Sequence, residues 1–100
     1  MDKHTIENRD SYTAVVTVLG QDKPGIIAAV TNILANHNVN IRDISQTIVQ
    51  DVFNMIMLVD TTQADIAFDA LASELEHEGL QIACKIFLQH KDVFASMHRI

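Results

Sequence analysis

The sequence predicts an α+β fold in the order β-α-β-β-α-β, with one antiparallel sheet, two helices on one face and a short C-terminal helix. Two observations carry this. Four β-branched or alternating apolar runs are separated by two segments whose apolar residues recur at helical spacing. The chain has 100 residues, 48% of them hydrophobic and 20% charged, which suits one core and one domain.

Residues 1–10 read as a flexible polar leader, and 11–100 as the single domain. Tyr12 to Leu19 is a β-branched run and reads as a buried central strand. The segment from Gly20 to Gly25 breaks it. Asp22 is placed to cap the next helix, and Pro24 fits a first helical turn, where a missing N–H costs nothing. Ile26, Ile27, Val30, Ile33 and Leu34 then mark a helix to about His37. Asn36 to Asn40 is a turn, because Asn tolerates left-handed φ. The mixed residues of Asn40 to Val49 suit an edge strand with a bulge.

Phe53 to Asp60 alternates as a third strand. Thr61 or Thr62 starts a second helix, with Asp65 in its first turn and Gly79 as its terminator. Ile66, Phe68, Leu71, Ala72 and Leu75 form its buried stripe. Gln81 to Gln89 is a fourth strand, and a last helix from about Lys91 carries Val93, Phe94, Met97 and Ile100 on one side. Right-handed crossovers give a ferredoxin-like sheet with both long helices on one face. Val15 and Phe87 lie on the other face, which the last helix or a second subunit must cover.

Charge and cysteine usage exclude several functions. The net charge is −6 and the seven basic residues are scattered, so a nucleic-acid surface is not expected. Cys84 is the single cysteine, which fits a reducing cytoplasm. No apolar run approaches a membrane span. His4, His37, His77, His90 and His98 lack the spacing that aligns two imidazoles on one helical face, and read as solvated side chains. Cys84 alternates with Ile82 and Ile86 and reads as core. Glu74, Glu76 and Glu78 read as a solvated face. There is no nucleophile elbow and no phosphate loop, so the sequence predicts no catalytic residue, no metal and no cofactor.

The run Gly20-Gln-Asp-Lys-Pro-Gly-Ile-Ile27, followed by Asn38-Val-Asn-Ile41, resembles the ACT domain. The continuation to Gln46 and the closing Val-Phe-Ala-Ser-Met-His-Arg-Ile are similar to small stand-alone ACT proteins; the former also resembles the ACT repressor of the glycine cleavage system. The resemblance covers about residues 11–100. It implies an amino-acid effector at the first strand–helix loop, often across a dimer interface, with Asp22, Lys23, Pro24, Gly25, Ile26, Asn38 and Asn40 as the matching ligand-binding residues. A helix N-terminus offers free N–H groups to a carboxylate, expected here from Gly25 and Ile26, and glycine lets a ligand reach the backbone. The same residues also make an ordinary strand-to-helix turn, and Asn38 and Asn40 also serve to stop a helix.

The expectation is therefore a cytoplasmic regulatory module and not an enzyme: a homo-oligomer that binds a small effector, with a partner enzyme or regulator downstream. The alternative is a ligand-free interaction module of the same fold.

Overall fold

A computed structural model describes residues 12–97. Strand β1 (Thr13–Gln21) lies between two neighbours, and its run is apolar because both its faces are covered along Thr13–Val16. The sheet order is β2-β3-β1-β4, and every pairing is antiparallel. Ala14, Val16 and Val18 face the two helices and join the main core.

Helix α1 (Ile26–Asn36) buries Ile26, Val30, Ile33 and Leu34 and leaves Ile27 exposed. It ends in a Schellman motif. The N–H of Asn38 donates to the Ala35 carbonyl at 3.1 Å, and that of Val39 to the Leu34 carbonyl at 2.9 Å, with Asn38 at φ 60°. Asn38 is thus a helix terminator by observation.

Strand β2 (Asn40–Val49) is the expected edge strand, with a register shift between Ile41 and Asp43. A two-residue turn, Gln50 and Asp51, returns the chain to β3 (Val52–Asp60). Both turn residues have positive φ, 50° and 69°, as the tight hairpin that matches sheet twist requires. Phe53, Met55, Met57 and Val59 alternate into the core.

Helix α2 (Phe68–Gln81) departs from the sequence expectation at both ends. It starts at Phe68 and not at Thr61 or Thr62, because Thr62 turns back on Asp60 through both its N–H and its hydroxyl. Asp65 consequently lies before the helix and Asp69 occupies its first turn. At the other end Gly79 lies inside the helix, and Ala83 takes the left-handed conformation at φ 57°. The reason is packing. A Cβ on Gly79 would stand 2.5 Å from the Cys84 carbonyl oxygen, so only glycine lets helix and strand approach this closely.

Strand β4 (Cys84–His90) completes the sheet, three residues later than the pattern suggested. Its Phe87 stays exposed on the open sheet face. Helix α3 (Lys91–Met97) contacts β1 and β4, and Val15 on the open face is 1% exposed. The first ten residues, His4, His98 and Ile100 lie outside the described residues. Among the described residues no helix is long and apolar enough to cross a membrane.

Candidate functional site

Glycine at position 25 has a backbone reason. Gly25 is the N-cap of α1 with φ 90°, a conformation that L side chains resist. An ideal Cβ there would meet nothing within 4 Å, so the position faces open space. Asp22 does not cap the helix as expected, and Gly25 carries no side-chain cap bond. Instead the Asp22 N–H donates to the Asp51 carbonyl at 2.9 Å, which ties the loop to the β2–β3 turn. Pro24 precedes the helix and does not lie in its first turn.

The first helical bond runs from the Ala29 N–H to the Gly25 carbonyl at 3.0 Å. The N–H groups of Ile26, Ile27 and Ala28 therefore lack partners within the helix. No acidic residue lies in the first turn, so the positive end of the helix dipole is not offset there.

These groups border a cleft of about 330 Å³, which falls in the size range of small-molecule sites, about 300–1,000 Å³. Asp22, Lys23, Pro24, Gly25 and Ile26 form one wall. Gln46, Ile48 and Phe53 form the other, and sequence reading missed all three. Finding them requires the β2 register after the bulge, which pairs Gln46 with Met55 and Ile48 with Phe53. The site thus combines free backbone donors, one acid, one base, one amide and an apolar wall.

Asn38 and Asn40 are not brought to this cleft within one chain. Asn40 pairs with Asp60, which also pairs with Thr13. The loop follows Gln21 at the opposite end of β1. That separation is roughly 25 Å at the usual rise of a strand.

Two other clefts lack this combination. An apolar one of about 440 Å³ lies between Leu19, Val52 and Leu80, with Lys85 as its charged residue. Another, of about 290 Å³, lies beside Tyr12, Phe68 and His90. The His90 ring is stacked on Phe68 at 3.8 Å and is not simply solvated. Cys84 is buried, and burial pushes its thiol above the ordinary value against the opposing charge of Lys23. Among the described residues no cluster of three or more His, Cys, Asp or Glu is arranged to hold a metal.

The family model described as ACT domain matches residues 12–89. The chain is 48% identical over 87 residues to the UPF0237 protein of Methanopyrus kandleri, covering 87% of this chain and 97% of that protein. An ACT domain protein of Streptococcus pneumoniae superposes with TM-score 0.71 at 34% identity, covering 88% of this chain and 96% of that one. A structure described as a putative glycine cleavage system transcriptional repressor shares the fold, with TM-score 0.68 at 22% identity over 77% of this chain and 44% of its own. On the match to residues 12–89 and these near-full-length similarities, the chain belongs to the ACT domain family.

Proposed function

We propose that this chain is a non-catalytic regulatory module that binds a small amino acid or related carboxylate at residues 22–26, in a cleft completed by a second copy. The observation that carries this reading is the uncapped start of α1 at Gly25, open to a cleft that also presents Asp22, Lys23 and Gln46. The ligand carboxylate takes the free N–H groups of the first turn. Asp22 or an Asn then meets its amino group.

A second copy is what would bring Asn40 to the site. Strand β2 is an open edge, and Ile44 and Ile48 on its helix-facing side remain 43% and 53% exposed. Ile27 of α1, beside them at the cleft, is 39% exposed. Two-fold pairing of β2 with its copy covers these side chains and extends the sheet. It also reverses strand direction, which carries Asn40 of the partner subunit toward the loop after β1. Family membership and the repressor-like fold support a regulatory role.

A melting-temperature screen of α-amino acids and related acids tests the reading. At ten times its Kd a ligand adds about 1.4 kcal/mol, a shift of several degrees for this size. Gly25→Leu is expected to stay folded at a cost of about 1–2 kcal/mol for its left-handed φ, and to lose the shift. If no compound in the panel shifts the parent protein while it still runs as a dimer, the ligand-free interaction module is the better reading.

A further inference from the structure

His37, the C-cap of α1, is bonded through both ring nitrogens. Nδ1 stands 2.9 Å from Asp65 Oδ1 in the segment before α2, and Nε2 stands 2.8 Å from Glu74 Oε1 on α2 itself. Its carbonyl also accepts the Asp65 N–H at 3.2 Å. A neutral imidazole has one N–H and one lone pair, and a carboxylate can only accept. Two carboxylates on the two nitrogens are satisfied together only by imidazolium.

We propose that His37 is a proton-controlled clasp that fastens the end of α1 to α2 when its ring is charged and loosens when the ring loses its proton. Among the described residues, Asp65 and Glu74 are the charged groups that act on the ring. Helix α1 has no titratable side chain, the 61–67 segment supplies Asp65, and α2 supplies Glu74. The hydrogen bond to Asp65 is the larger influence and that to Glu74 the next, and both raise the pKa of His37 from its ordinary 6.5.

A histidine whose folded pKa lies above its unfolded value adds stability that is fully present below the unfolded value. That stability is lost as pH rises through the folded one. The clasp is thus closed below 6.5 and opens across the raised pKa of His37.

Proton NMR of the full chain follows the His37 ring directly, with His37→Gln to assign its signal. The titration midpoint is expected above 6.5. It is expected to fall in Glu74→Gln and in Asp65→Asn, since a neutral amide no longer demands a charged ring. The melting-temperature gap between the parent and His37→Gln is expected to be larger at about pH 6 than at about pH 9. A midpoint at or below the ordinary value overturns the clasp. So does a midpoint that neither substitution moves, or a gap that is equal at both pH values.

Discussion

Leu34→Ala is expected to lower the unfolding free energy by about 2–5 kcal/mol, the range for emptying a fully buried aliphatic site. Leu34 is 0% exposed and belongs to the same core cluster as Val30, Leu71 and Leu75. Its carbonyl accepts the N–H groups of His37 and Val39, and the substitution leaves those bonds intact. The loss therefore reports packing alone. Ile27→Ala on the same helix is expected to change the stability of the separated subunit by about 1 kcal/mol or less, because Ile27 is 39% exposed and lies outside the buried core cluster. Ile27→Ala is expected to weaken self-association instead.

Urea titration at low protein concentration reads the first quantity, and light scattering across a dilution series reads the second. An Ile27→Ala loss as large as that of Leu34→Ala would place Ile27 in the subunit core. Undiminished association would remove α1 from the interface.

Gly79→Ala is expected to destabilise the protein by about 1–3 kcal/mol, against the direction that helix propensity predicts. In an open helix the exchange gains roughly 0.5–1 kcal/mol. Here the new methyl carbon would stand 2.5 Å from the Cys84 carbonyl oxygen and 3.2 Å from Ile86 Cγ1. The first obstacle is sheet backbone, which cannot swing aside as a long side chain does. Relief requires α2 to lift from β4. Thermal unfolding decides the sign: a melting temperature at or above that of the parent would show that the helix yields freely.

The parts of the fold that the sequence made legible rest on local periodicity. β1 announces itself by a β-branched run, β3 by residues two apart, and α1 by Ile26, Val30, Ile33 and Leu34. The bulge in β2 was legible from its mixed composition. What escaped is settled by contacts between distant residues. Gly79 reads as a terminator by type, yet β4 dictates its role, and the chain turns left-handed at Ala83 instead. His37 reads as a solvated turn residue, while its partners lie 28 and 37 residues away.

The candidate site divides in the same way. The run from Asp22 to Ile26 is contiguous and was found together. Gln46 and Ile48 reach it through strand register, which the sequence does not spell out. Asn38 and Asn40 share the motif but end up at the opposite end of the strands from the cleft, because a helix and its return place them there.

The contact between Gly20 and Cys84 gives the molecule a built-in clock. These residues face each other across β1 and β4, and the sulfur sits where a Cβ on Gly20 would come within 2.5 Å of it. Cys84 is 6% exposed with its sulfur against Gly20, and burial pushes the thiol pKa up, which favours the less reactive protonated form. Alkylation is expected to be slow until β4, an edge strand with one neighbour, comes away from β1. With a single cysteine in the chain, the labelling rate counts those departures one site at a time. When reclosing outpaces the reagent it reports how often the edge is open, and when the reagent is faster it reports how quickly the edge leaves.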